Sequence, residues 1–206
     1  MKKVIIFDLD GTLLDSQNGI LFSLEYVLNK YAKEYLPFLD RTLIGPPIKT
    51  ILEGFISDPK SVSLLSKKFR LHYDSCGFLK TNLFQGIYGG LTEISSFSLY
   101  VSTNKPEKVT KKILSRLEID SFFNDIVCID SASYRDKTEI VNSIIKNHSN
   151  QKITVVGDSE DDYYSAVHNN CNFLYCSYGY GNLSVENHNI KSVNSVKELF
   201  NTILSN

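Results

Sequence analysis

Val4-Ile5-Ile6-Phe7-Asp8-Leu9-Asp10-Gly11-Thr12 is the stretch from which the rest of the chain can be read. Four apolar residues in a row, without polar alternation, are the pattern of a strand covered on both faces. Two carboxylates one residue apart follow at once. In a continuing strand Asp8 and Asp10, two positions apart, would share one face with Leu9 on the other, and Gly11 permits the chain to turn after them. The carboxyl ends of parallel strands open onto the crevice where such sheets bind ligands, so both acids stand where chemistry is expected.

Similar apolar runs occur at residues 98–101, 125–129 and 153–156, with a weaker one at 172–176. Helical patterns separate them at 105–117, 138–147, 161–169 and 195–204. Asn104 before Glu107, Asp136 before Glu139 and Ser195 before Glu198 have capping-box spacing. Strands alternating with helices predict an α/β class, a Rossmann-like parallel sheet with helices on both faces. Residues 17–82 break the alternation. Leu21, Leu24, Leu28 and Tyr31 repeat at helical spacing, as do Ile48, Ile51, Leu52 and Phe55, and then Val62, Leu65, Phe69 and Tyr73. They predict an inserted helical unit, with 1–16 and 83–206 forming the α/β core and hinges near 15–17 and 81–86.

Two more clusters follow core strands. Val101-Ser102-Thr103-Asn104-Lys105 places a hydroxyl and backbone N–H groups at a helix start, which makes an anion site. The competing reading is that Thr103 or Asn104 only caps the helix. Gly157-Asp158-Ser159-Glu160-Asp161-Asp162 brings further acids to a strand end, although Ser159 and Asp162 also have capping-box spacing.

These motifs resemble the haloacid dehalogenase superfamily over essentially the whole chain, in particular its phosphoglycolate-phosphatase-like members with a helical C1 cap. The resemblance implies that Asp8 attacks phosphorus and forms an aspartyl-phosphate. Asp10 then protonates the leaving oxygen and later activates water. Dehalogenases lack the second Asp and transport ATPases carry Thr there, so Asp10 favours transfer to water. The phosphate site implied comprises Asp8, Leu9, Asp10, Thr103, Asn104 and Lys137. Mg²⁺ would be held by Asp8, Asp10 and Asp158, with Asp162 orienting a metal-bound water and Asp161 as its rival for that role. A dication also removes the repulsion between a carboxylate nucleophile and an anionic phosphate. The bracing lysine is expected at Lys137, within Arg135-Asp136-Lys137 and without the family's usual proline, with Lys105 as runner-up. The cap resemblance rests on Ile44-Gly45-Pro46-Pro47-Ile48, on Phe84-Gln85-Gly86 as the return segment and on Gly179-Tyr180-Gly181. Asn170 stands where many members have Gly. Arg41, Lys49, Arg70 and Tyr73 are the polar cap residues proposed to choose the substrate.

The implied activity is a Mg²⁺-dependent phosphatase acting on a small phosphorylated metabolite. A sugar phosphomutase or a 5′-nucleotidase of the same fold would share the core, and a non-catalytic regulatory protein is the reading from a different class. Among the 206 residues, 22 basic and 23 acidic side chains leave a net charge of −1, which gives no general attraction to nucleic acid or to an anionic membrane. No apolar run approaches the ~20 residues of a membrane span, and the first ends at Asp8, short of the roughly 7–15 residues of a signal segment. Cys76, Cys128, Cys171 and Cys176 lack CxxC spacing and suit a reducing compartment. His72, His148, His168 and His188 lack metal spacing and are expected to be structural or exposed. A cytoplasmic enzyme, monomer or homodimer, with neither nucleic acid nor membrane as partner, is the expectation.

Overall fold

The computed structural model describes residues 3–148, 151–181, 183 and 190–205. It divides into two compact units, Met1–Leu14 with Leu83–Asn206, and Asp15–Asn82. In chain order the strands and α-helices are β1 (Val4–Phe7), β2 (Leu14–Asp15), α1 (Gln17–Tyr31), α2 (Ile48–Glu53), α3 (Pro59–Ser75), β3 (Asn82–Leu83), α4 (Ile87–Glu93), β4 (Ser98–Thr103), α5 (Glu107–Arg116), β5 (Asp125–Cys128), α6 (Lys137–Ile145), β6 (Ile153–Gly157), α7 (Glu160–His168), β7 (Asn172–Cys176), β8 (Ser192–Val193) and α8 (Val196–Ser205).

The larger unit is built on a six-stranded sheet of order β5-β4-β1-β6-β7-β8, parallel at every pairing. All four residues of β1 are buried, because the strand is central and carries neighbours on both sides and cover on both faces. Val4, Ile6, Val127 and Val155 pack with Ile140, Val141 and Ile144 of α6 and Ala166 of α7 in one core cluster. From β1 the chain passes to β4 and outward to β5, then returns to β6 on the other side of β1. The reversal of strand order puts the crevice beside β1, at the carboxyl end of the sheet.

Helix starts follow local chemistry. Asp136 Oδ1 accepts from the Glu139 N–H at 3.0 Å, and Ser195 Oγ accepts from the Glu198 N–H at 3.3 Å. The box expected at Asn104 does not form, since Pro106 occupies the N-cap of α5. A proline disfavours helical backbone at the residue before it, here Lys105, so the helix starts two residues late. Asn170 takes a positive φ of 53°, in the left-handed region that glycine and asparagine tolerate best.

In the smaller unit Leu24, Val27 and Leu28 of α1, Ile51 and Leu52 of α2, and Val62, Leu65, Phe69 and Tyr73 of α3 are buried. Tyr31 and Phe55 depart from the periodic reading: Tyr31 is exposed, and Phe55 lies beyond the end of α2. Of the histidines, His72 stacks on Tyr26, His148 shares a hydrogen bond of 2.8 Å with the Tyr100 hydroxyl, His168 ends α7, and His188 lies outside the described residues. The four cysteines are free thiols. No helix among the described residues is long and apolar enough to cross a membrane.

Helix α4 was not legible in the periodicity, because glycines at 89 and 90 interrupt it. Their surroundings differ. A Cβ at Gly90 would lie 2.0 Å from the Phe200 ring, whereas one at Gly89 would meet nothing within 4 Å. Gly90→Ala should therefore destabilise the protein by about 1–3 kcal/mol through overpacking. Gly89→Ala should be stabilising by roughly 0.5–1 kcal/mol, the helix-propensity gain alone. Urea unfolding midpoints of the two variants, read against the wild type, should move in opposite directions.

Candidate active site

The site residues of the larger unit gather at the carboxyl ends of β1, β4 and β6. Asp8 follows β1 and is anchored by its N–H, which donates to Val156 O at 2.8 Å. Leu9 is buried, and its carbonyl accepts from the N–H groups of Thr12, Leu13 and Leu14 at 3.4, 3.0 and 2.9 Å. That tight turn, just after Asp8, ends the strand. Gly11 is required twice over. Its φ is 86°, and a Cβ there would lie 2.1 Å from Asp158 Oδ2.

Lys137, the first residue of α6, is only 5% exposed. Its ammonium forms ion pairs with Asp8 Oδ1 and, at 2.5 Å, with Asp162 Oδ1. A helix N-terminus is a poor place for a cation, and burial opposes the charge as well. Asp162 and Asp8 nevertheless hold the lysine pKa above its ordinary value. Asp162 Oδ2 in turn accepts from Ser159 N at 3.1 Å and from Ser159 Oγ at 2.6 Å. Asp162 thus caps the start of α7 through Oδ2 and pairs with Lys137 through Oδ1.

Asp158 Oδ2 accepts from the N–H groups of Tyr180 and Gly181 at 2.7 and 3.0 Å. Side chains at Gly179 or Gly181 would collide with Asp158, at 2.4 and 1.8 Å respectively, so the Gly-Tyr-Gly loop is shaped to wrap one carboxylate. Tyr178 and Tyr180 fix that loop by donating their hydroxyls to Thr12 O and Leu14 O at 2.9 and 3.3 Å. The sequence displayed the two glycines but not what they surround.

Ligand-capable oxygens of Asp8, Asp158 and Asp162 lie within 4.8 Å of one another. Burial raises the Asp8 pKa well above the ordinary carboxylate range against the opposing pull of Lys137, and the neighbouring acids add to the rise. Burial and Asp162 push Asp158 up to about 6. Three buried carboxylates face one buried ammonium here, and the donors are all hard oxygens. That combination fits Mg²⁺, which would offset the remaining negative charge. The Asp10 carboxylate is not in this cluster; its Oδ2 is held by Lys105 Nζ at 2.7 Å.

Thr103 ends β4 and is buried. Its Oγ1 accepts from the Lys105 N–H at 3.1 Å, which leaves its own O–H directed elsewhere. Asn104 is turned outward, its amide donating to Asp161 Oδ2 at 3.1 Å. Asp161 is exposed and Asp162 buried, a contrast that spacing alone left open. In the smaller unit, Arg41 Nε donates to Gln17 Oε1 at 2.8 Å, Lys49 pairs with Glu53 at 3.6 Å and Arg70 is exposed. Tyr73 is 4% exposed, its hydroxyl 3.0 Å from Thr81 Oγ1, which makes it part of that unit's interior.

The sequence profile of the haloacid dehalogenase-like hydrolases matches residues 5–176. The chain belongs to that family. It is 32% identical over 166 residues to a phosphoglycolate phosphatase of Aquifex aeolicus, covering 78% of each chain. Its fold superposes with a TM-score of 0.84 on a predicted phosphatase of Clostridium acetobutylicum, at 29% identity and with full coverage of both chains. It is also 26% identical over 187 residues to the tyrosine-protein kinase PtkA of Mycobacterium tuberculosis, covering 87% of this chain and 63% of that one. One fold carries several activities, so the site must support the assignment. Within the family this hydrolase is of the phosphatase kind.

The raised pKa of Asp158 has a consequence for stability. A folded-state value near 6, above the ordinary value of about 3.9, means that the contribution is present below pH ~4 and is lost as pH rises through about 6. In chelator, the wild type should lose stability relative to Asp158→Asn across that window. Denaturant midpoints collected at pH 4, 5, 6 and 7 for both proteins give the difference; parallel curves would refute the assignment.

Proposed function

We propose that this chain is a Mg²⁺-dependent phosphatase that hydrolyses a small phosphorylated metabolite through an aspartyl-phosphate on Asp8. The observation that carries the reading is the division of labour between the two acids of the first loop. Asp8 is buried against Lys137, while Asp10 is kept out of the carboxylate cluster by Lys105. A nucleophile and a proton carrier need such different surroundings.

In this reading Asp8 Oδ attacks phosphorus and Lys137 holds the carboxylate and the incoming phosphate together. Thr103, with its hydroxyl proton directed away from Lys105, donates to a phosphoryl oxygen. Leu9 and Asn104 complete the phosphate site through their backbone. Asp10 gives its proton to the leaving ester oxygen and then takes one from the water that attacks the phosphoenzyme. Asp8 and Asp158 would hold the Mg²⁺, which neutralises charge between nucleophile and phosphate when bound. Asp10 lies outside the carboxylate cluster of Asp8, Asp158 and Asp162, with its Oδ2 on Lys105. Asp162 braces Lys137 and the start of α7.

The names of the relatives and the small net charge support a soluble metabolite such as phosphoglycolate as substrate and the cytoplasm as location, without nucleic acid or membrane as partner. Residues 17–82 serve as the cap that selects the substrate, in a monomer or a homodimer. Arg41, Lys49 and Arg70 are the exposed basic candidates for that choice, and Tyr73 supports them from the interior. Their substitution should change the relative kcat/KM among phosphoglycolate, sugar phosphates and nucleoside monophosphates while sparing a small aryl phosphate. A common loss on every substrate would deny the cap its selecting role.

Turnover should vanish in chelator and return with Mg²⁺ but not with Ca²⁺, whose looser coordination could take both Asp8 oxygens. Asp8→Asn should abolish hydrolysis. Asp10→Asn should cost about 10²–10⁴ in kcat, and Asp162→Asn about 10–100-fold, as for residues that orient a metal site. Steady-state assays on phosphoglycolate and on p-nitrophenyl phosphate test this order.

A further inference from the structure

Lys105 touches two members of the site at once. Its backbone N–H donates to Thr103 Oγ1 at 3.1 Å, and its ammonium lies 2.7 Å from Asp10 Oδ2. Its side chain is only 9% exposed, although it sits in a loop. Pro106 follows and restricts the Lys105 backbone to extended conformations, so the lysine is held toward Asp10 before any substrate arrives. The other Asp10 oxygen, Oδ1, is buried and has no hydrogen-bond partner among the described residues. A buried carboxylate oxygen without a donor is costly, and it is the atom such a site would leave open for a reacting proton.

We propose that Lys105 is a positioning residue for the proton-transfer step. It locks Oδ2 of Asp10, so that proton exchange passes through Oδ1 alone. The inference rests on the phosphatase reading above. The bond survives both halves of the reaction. When Asp10 acts as acid, the proton sits on Oδ1, and Oδ2 is the carbonyl oxygen that accepts from Lys105. As the ester P–O bond breaks, Oδ1–H passes its proton to the leaving oxygen and Asp10 becomes a carboxylate, still held at Oδ2. The water that attacks the phosphoryl group on Asp8 then returns a proton to Oδ1. Protons and charge balance over the cycle without any movement of Lys105.

A lysine that served only local structure would affect every substrate alike. One that aims a general acid matters in proportion to how much the leaving group needs a proton. The test is a series of aryl and alkyl phosphate monoesters spanning leaving-group basicity, assayed at saturating Mg²⁺ with wild type, Lys105→Met and Lys105→Arg. kcat/KM is the parameter to read, since it stops at phosphoenzyme formation. For Lys105→Met the loss should be at least about tenfold on alkyl esters, part of the 10²–10⁴ typical of general acid catalysis, and within a few-fold on p-nitrophenyl phosphate. The plot of log kcat/KM against leaving-group pKa should steepen, and Lys105→Arg, which keeps a cationic donor, should restore most of the wild-type slope. Because the slope is a ratio within one preparation, partial unfolding lowers every point equally and leaves it unchanged. An equal loss along the series, or no loss, would overturn the role of Lys105. Wild type without Mg²⁺-dependent turnover of any ester would instead refute the phosphatase reading.

Discussion

Carboxylates buried within reach of one another cannot all stay ionised unless positive charge is placed among them, and Lys137 is the positive charge this fold supplies. It reaches Asp8 and Asp162 together, from the first residue of a helix whose dipole works against it. The pairing does two jobs. It opposes the rise that burial imposes on the Asp8 pKa, and it ties the end of β1 to the start of α7. Removing the lysine would leave two buried acids without their partner, a loss of the order of 3–5 kcal/mol. The remaining negative charge on Asp158, whose pKa sits near 6, is what a divalent cation would offset.

Two lysines thus separate two aspartates that lie two positions apart in sequence. Lys137 takes Asp8 inward, and Lys105 takes Asp10 toward the loop after β4. The turn at Leu9 to Leu14 makes this possible, because an extended chain would have kept the pair together on one face. The same turn is pinned by the hydroxyls of Tyr178 and Tyr180, whose loop also supplies the N–H groups that hold Asp158. Asp8, Asp158 and the turn that carries Asp10 are therefore fixed by one set of contacts among β1, β6 and the loop after β7.

Much of this was legible in the chain. The central strand declared itself by four apolar residues without alternation, and the Asp8–Asp10 and Asp158–Asp162 spacings marked two of the strand ends. Boundaries and partners were less legible. Pro106 shifted the start of α5 and removed the cap expected of Asn104, an effect of backbone sterics that outweighs side-chain spacing. Helix α4 was hidden by Gly89 and Gly90, the second of which exists to admit the Phe200 ring. The two residues of β8 are too few to carry a period. Tyr73 was read as a polar candidate because of its hydroxyl, while its ring fills the interior of its own unit. Which lysine meets which aspartate was beyond periodicity altogether, since those contacts join residues 129 and 95 positions apart.

The most direct test of the account is to trap the phosphoenzyme. Rapid acid quench during turnover of a phosphate monoester with Mg²⁺, followed by intact-mass analysis and peptide mapping, should find one phosphoryl group, labile to hydroxylamine, on the peptide that contains Asp8. Asp8→Asn should carry none. A phosphoryl group mapped to another residue, or wild-type turnover by Asp8→Asn, would contradict the assignment of Asp8 as the nucleophile.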